Sequence, residues 1–166
     1  MKKIVLVVVA FIGFTALSNA QIISDNALGL RLGDSDGFGG EISYQRAVAS
    51  DERLEFTLGW RDGNNFDGFK IAGLYQWVWN IDGGFNWYAG VGGGLGAYEF
   101  DNRNNDFDDD FSDTFVFIAG DIGIEYNFDI PLLLSLDFRP EFGFGDDRFD
   151  NDDLDFDIAL GIRYQF

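Results

Sequence analysis

The chain contains no cysteine and no histidine, and only 2 prolines among its 166 residues. Without cysteine there is no disulfide framework, no zinc–thiolate site and no thiol nucleophile. Without histidine there is no Ser–His–Asp triad, no imidazole base and no histidine-ligated metal. Basic residues are scarce: 11 Lys plus Arg stand against 29 acids, a formal net charge of −18. Phosphate backbones are held by basic faces, so no nucleic acid partner is expected. After residue 20 no apolar run is long enough for a membrane helix. Aromatic residues and glycine are abundant instead, with 19 Phe, 6 Tyr, 4 Trp and 22 Gly. That much apolar surface argues against a disordered chain, and the length suits one domain.

Residues 1–20 read as a cleaved signal peptide. Lys2 and Lys3 make the positive start, residues 4–17 are apolar apart from one threonine, and Ser18 and Ala20 are small residues before a cut at Gln21. The apolar run is short of the ~20 residues a spanning helix needs. Residues 21–166 are then an exported product, either soluble or a β-structure in an outer membrane.

That product alternates. Leu28, Leu30 and Leu32 are separated by Gly29 and Arg31; Ile42 and Tyr44 by Ser43; Leu54, Phe56, Leu58 and Trp60 by Glu55, Thr57 and Gly59. Phe69, Ile71, Gly73, Tyr75, Trp77 and Trp79 form one set, with Lys70, Ala72 and Gln76 in the other. Phe85, Trp87, Ala89, Val91 and Leu95 oppose Asn86 and the glycines 90, 92, 94 and 96. Three further segments follow the same rule around Ile118–Tyr126, Leu132–Phe138 and Ile158–Phe166. Period two gives each strand one apolar face and one polar or small face. Eight such segments, each near the ~9–11 residues that cross a bilayer at a tilt, predict an all-β chain. The expected fold is an eight-stranded antiparallel up-and-down transmembrane β-barrel. Connections at 47–52, 80–84 and 127–131 are short, while those at 34–37, 62–67, 101–113 and 145–153 include the long, acidic ones. Short turns on one side and longer loops on the other are the pattern of an outer-membrane barrel.

Alternation leaves open which face looks inward. A secreted lipocalin-like ligand-binding barrel is apolar inside; a membrane barrel is apolar outside. The polar phase favours the second. Arg31, Arg61, Lys70, Arg139 and Arg163 face Glu41, Glu55, Asp121, Glu125, Asp137 and Glu141, a near balance that a closed lumen needs and a solvated exterior does not. The glycine row on one strand is expected to make room in the narrow interior for a larger neighbour such as an arginine. No helix pattern or lysine follows it, which argues against a phosphate-binding loop. Aromatics gather at strand ends: Tyr44, Trp77, Trp79, Trp87, Tyr126, Tyr164 and Phe166 at one rim, and Phe38, Trp60, Phe69, Phe100, Phe142 and Phe156 at the other.

The alternating run ending in Ile162, Tyr164 and Phe166 resembles the C-terminal strand of the small outer-membrane β-barrel family, typified by the membrane part of outer membrane protein A. The resemblance implies that these three residues are read by the outer-membrane assembly machinery. It also implies an outer-membrane location with both termini periplasmic, among lipid and lipopolysaccharide. Enzymes that share this architecture are expected to use a histidine, so no catalytic residue is assigned.

The outer connections hold most of the aspartates: Asp106, Asp108, Asp109 and Asp110 in one, and Asp146, Asp147, Asp150, Asp152 and Asp153 in another. Such oxygens are hard ligands suited to Ca²⁺ or Mg²⁺. Phe111 stands where an EF-hand loop needs glycine, so any metal binding is expected to be weak; a solvated, self-repelling surface explains the same residues. No other cofactor is expected. The functional expectation is a non-enzymatic barrel with an ion-paired, plugged lumen and a structural or surface-interaction role. The alternatives are a narrow passive pore for small solutes and the soluble ligand-binding barrel.

Overall fold

The computed structural model describes residues 23–33, 39–63, 66–100, 111–144 and 154–166, with the backbone alone at 61–63, 66–67, 98–100 and 111–113. The described residues form eight strands. They are β1 (Asn26–Leu32), β2 (Glu41–Ala47), β3 (Glu52–Gly63), β4 (Phe66–Asp82), β5 (Phe85–Phe100), β6 (Phe111–Asn127), β7 (Leu132–Phe144) and β8 (Leu154–Gln165). Each pairs antiparallel with its sequence neighbours, and β1 pairs with β8 to close the barrel. The signal peptide, the connections 34–38, 64–65, 101–110 and 145–153, and all nine aspartates named above as metal candidates lie outside the described residues.

The pairing fixes the shape. Starting at Leu28, successive partners run through Tyr44, Phe56, Gly73, Gly93, Ile118 and Phe142 to Leu154. Leu28 itself pairs with Tyr164 on β8. The offset between Leu154 and Tyr164 is the shear of the barrel. With eight strands, a rise of ~3.3 Å per residue and a spacing of ~4.8 Å, that shear tilts the strands by about 40°. Such a tube is just wide enough for side chains to fill.

Strand lengths depart from the uniform expectation. β1 and β2 have 7 residues each, whereas β4 and β6 have 17. The β1–β2 ladder stops at Arg31↔Glu41, where Gly33, Gly39 and Gly40 enter and a pleated ladder loses its side-chain packing. At the other end the turns are tight. Gly83 has φ of 54° between β4 and β5, a left-handed conformation that glycine adopts without a Cβ penalty. The start of β1 meets the end of β8 there: Asn26 N–H donates to Phe166 O at 3.1 Å and Phe166 N–H to Asn26 O at 2.9 Å.

The two faces are inverted relative to a soluble protein. Outward side chains are apolar and exposed, Ile158 reaching 65%. The most fully buried large side chains are Arg31, Arg53, Arg139 and Arg163. A lipocalin-like barrel needs the reverse, so the soluble alternative has no support in this arrangement. Aromatic rings gather where the turns are: Trp79 stacks on Trp87 at 4.3 Å, Phe85 meets Tyr126 at 4.5 Å, and Tyr164 lies 6.2 Å from Phe166. Towards the other end Phe138 stacks on Phe156 at 5.5 Å, and Trp60 is exposed. Amphipathic rings of this kind sit at headgroup level. Phe38 lies outside the described residues, as does the side chain of Phe100.

Candidate functional site

The inward phase of the strands builds a polar lumen. Arg31 of β1 is its best-held cation. Its Nε and Nη2 donate to Asp137 Oδ1 at 2.9 and 2.5 Å, and its Nη1 lies 3.2 Å from Glu41 Oε2 and 2.5 Å from Asp157 Oδ2. Arg163 of β8 donates to three groups: Nε to Ser43 Oγ at 2.8 Å, Nη1 to Ser135 Oγ at 2.7 Å and Nη2 to Glu55 Oε1 at 2.7 Å. Glu55 also accepts from Ser43, Gln45 and Gln76. Gln76 bridges onward to Asp121 Oδ2 at 2.5 Å. A carboxylate so fully used can stay charged away from water.

Nearer the turns, Arg53 donates from Nε to Gln76 Oε1 at 2.6 Å and sets Nη2 at 2.8 Å from Glu125 Oε2. Asn86 donates to Glu125 Oε1 at 3.1 Å, and the guanidinium lies 4.8 Å from the centre of the Tyr88 ring. At the opposite end Lys70 Nζ sits 2.5 Å from Glu141 Oε2 and 4.9 Å from the centre of the Phe117 ring. Arg139 is held loosely between these groups. Its nearest carboxylates are Glu41 at 3.7 Å, Glu55 at 3.9 Å and Asp121 at 4.0 Å. Its Nε and Nη2 have no hydrogen-bond partner, nor do Asp121 Oδ1 and Glu141 Oε1.

Among the described side chains the lumen buries five cations and seven carboxylates. Ten of the eleven candidates read from the sequence are brought together there: Arg31, Glu41, Glu55, Lys70, Asp121, Glu125, Asp137, Arg139, Glu141 and Arg163. The side chain of Arg61 lies outside the described part. Two further lumen charges lie outside those eleven candidates, Arg53 and Asp157. Each lies one step beyond the alternation that was counted, Arg53 in phase with Glu55 and Asp157 in phase with Ala159. Asp157 belongs to β8.

The glycine row serves a different neighbour from the arginine expected. A Cβ on Gly94 would come 2.6 Å from Phe117 Cζ, and one on Gly96 would reach 2.5 Å from Phe115 Cε1. The bare backbone of β5 therefore seats two phenylalanine rings against the wall. Phe117 packs with Ala72, Leu74 and Ala119 as an apolar cluster, so the lumen is ion-paired on one side and apolar on the other. Ile162, Tyr164 and Phe166 point outward and are exposed at the seam with β1.

Nothing in this arrangement resembles a catalytic set, and no group of three or more His, Cys, Asp or Glu among the described residues is placed to hold a metal ion. No protein-family model matches the chain, and no curated protein sequence matches it. Solved structures do. The N-terminal β-barrel domain of Pseudomonas aeruginosa OprF matches with TM-score 0.59 at 16% identity, covering 86% of this chain and 98% of that one. Neisserial surface protein A matches with TM-score 0.61 at 14% identity, over 85% and 94%. Ail, the attachment invasion locus protein of Yersinia pestis, matches with TM-score 0.55 at 16% identity, over 86% and 97%. At these identities the likeness speaks for the fold, and the fold is that of the small eight-stranded outer-membrane β-barrels.

Proposed function

We propose that the protein is a non-enzymatic barrel of the outer membrane whose lumen is closed to salts and whose work is done at its ends. The observation that carries this reading is the binding of Arg31 to Asp137, Glu41 and Asp157 inside a wall whose outer face is apolar. A bilayer core can be spanned by a closed barrel because closure leaves no unpaired edge. Together with the pairs that cross the tube, Arg163–Glu55, Arg53–Glu125 and Lys70–Glu141, the charges of Arg31 and its partners leave no continuous water column for ions in a barrel this narrow. In this reading residues 1–20 are removed on export and both termini face the periplasm. The acidic connections then meet the exterior, where their carboxylates hold Ca²⁺ or Mg²⁺ weakly and through them contact anionic lipopolysaccharide. The strand ending in Ile162, Tyr164 and Phe166 is what the assembly machinery reads. The surface role is supported by the likeness to the Neisserial surface protein and to the attachment protein Ail.

Membrane fractionation with heat-modifiable gel mobility tests the location, and planar-bilayer recording tests the closed lumen. A folded, membrane-bound form without steady salt current is the expected result. A sustained open current would move the assignment to a narrow passive pore. Millimolar calcium that left the signals of the acidic connections unchanged would remove the cation-binding element alone.

A further inference from the structure

We propose that the outer surface of the barrel, at its turn end, binds a phospholipid whose headgroup joins a phosphate to a primary ammonium, a phosphatidylethanolamine. This rests on the reading of the barrel as membrane-spanning, with its turn end at a headgroup layer.

The outward phase of the strands is apolar or uncharged with two exceptions. Among the described side chains, Arg46 of β2 and Glu52 of β3 are its only charged members. They are neighbours. Arg46 pairs with Leu54 across the β2–β3 ladder, and Glu52 stands two residues before Leu54, a diagonal relation that spans about 7–8 Å. The two do not pair with one another. Arg46 Nη1 donates to Asn26 Oδ1 at 2.9 Å, and Glu52 Oε2 accepts from the Tyr75 hydroxyl. Most of the guanidinium N–H groups and Glu52 Oε1 are thereby left over among the described residues. Both side chains are held in position. The Tyr44 hydroxyl donates to the same Asn26 oxygen at 2.8 Å, and Tyr75 lies 5.1 Å from Trp77, which pairs with Glu52 across the β3–β4 ladder and is 37% exposed. Charges kept in a lipid-facing phase need a partner that offsets their desolvation. A headgroup of both signs supplies one for each. Its phosphate oxygens accept from Arg46, and its ammonium donates to Glu52 Oε1 beside the open Trp77 ring. The acyl chains then run over Leu54 and the exposed Phe56 toward the waist of the barrel. A purely anionic headgroup would set its charge against Glu52, and a trimethylated ammonium has no N–H for Oε1.

The test uses the folded barrel in detergent micelles, with dioleoyl phosphatidylethanolamine, phosphatidylcholine and phosphatidylglycerol as competing probes and retained lipid counted by native mass spectrometry. The wild type should keep the ethanolamine lipid about fivefold better than either of the others. Arg46→Gln should lower its retention by a similar factor. Glu52→Gln should level the ethanolamine and choline lipids and raise the glycerol lipid. Asp82→Asn, exposed on the β4–β5 turn and away from the patch, should change nothing. Heat-modifiable mobility confirms that each variant is folded. Retention indifferent to headgroup would leave a plain apolar belt and overturn the site. A wild-type preference for the glycerol lipid would reduce it to a bare cation at Arg46 and overturn it equally, as would an unchanged preference in both variants. Insertion into vesicles judges the membrane reading separately, so a well-inserted barrel without headgroup preference counts against the site alone.

Discussion

Arg31 on β1 and Asp137 on β7 are joined by two hydrogen bonds to a single carboxylate oxygen, although β8 stands between their strands. The pair spans β8 along the inner wall and acts as a strut, tying the strands on either side of the β1–β8 closure. With Glu41 and Asp157 also on this guanidinium, the closure is held by side chains as well as by its backbone ladder.

Removing that strut leaves three buried carboxylates facing one another. Arg31→Met should therefore destabilise the folded barrel by about 3–5 kcal/mol. Urea titration of the protein in lipid vesicles, read by tryptophan fluorescence, measures it. A wild-type midpoint with unchanged slope would show that water already screens this part of the lumen.

Arg139 should behave differently. From sequence alone it is the partner of Asp137 and Glu141, its neighbours in phase. In the folded barrel Asp137 goes to Arg31 and Glu141 to Lys70, and Arg139 is left 3.7–4.0 Å from Glu41, Glu55 and Asp121. Distances of that order, with two guanidinium nitrogens unbonded, forfeit the directional part of the interaction. Arg139→Met should cost less than half of what Arg31→Met costs, about 1–2 kcal/mol, by the same titration. Equal losses would mean that charge count rather than hydrogen-bond geometry sets the stability of the lumen.

The same contrast shows what a single sequence reveals. Alternation assigns Glu41, Ser43 and Gln45 to one face and Ile42 and Tyr44 to the other, since the period of two is local. Arg53 and Asp157 fall where the pattern is weakest, Arg53 second in β3 beside a turn and Asp157 fourth in β8 after an acidic run. Tyr88 and Phe117 are harder. They are large rings in the polar phase, and they face inward because a glycine lies on a neighbouring strand. A Cβ on Gly123 would come 2.5 Å from the Tyr88 ring, and one on Gly94 would come 2.6 Å from Phe117. That complementarity depends on pairing register, which is set between strands and not within one. The neighbours of Arg139 are set by the same register.

The C-terminal residue is structurally engaged. Phe166 exchanges two backbone hydrogen bonds with Asn26 at the seam, and its ring lies 6.2 Å from that of Tyr164 on the outer face. Deleting Phe166 removes both bonds from the shortest ladder side of the barrel and one member of the proposed assembly signal. The folded, heat-modifiable form should fall several-fold in membranes. A Phe166→Tyr variant, which keeps the backbone bonds and an aromatic ring, should recover most of it. Normal abundance of the deletion would detach this residue from assembly.

Gly94 gives the most direct test of how the lumen is filled. A Cβ there would meet the backbone carbonyl oxygen of Ile71 first and the Phe117 ring next, 2.6 Å from Cζ. Phe117 is in turn anchored by Ala72, Leu74 and Ala119 and covered by Lys70, so the ring cannot withdraw without opening the apolar cluster. Gly94→Val should therefore overpack the wall and cost about 1–3 kcal/mol. Pairing it with Phe117→Leu, which shortens the opposing side chain, should recover part of that loss. The double-mutant cycle separates contact from mere loss of backbone freedom, because a backbone effect at Gly94 would be indifferent to residue 117. Additive losses in the two variants would show that the approach of the Ile71 carbonyl, and not the ring, is what requires glycine at position 94.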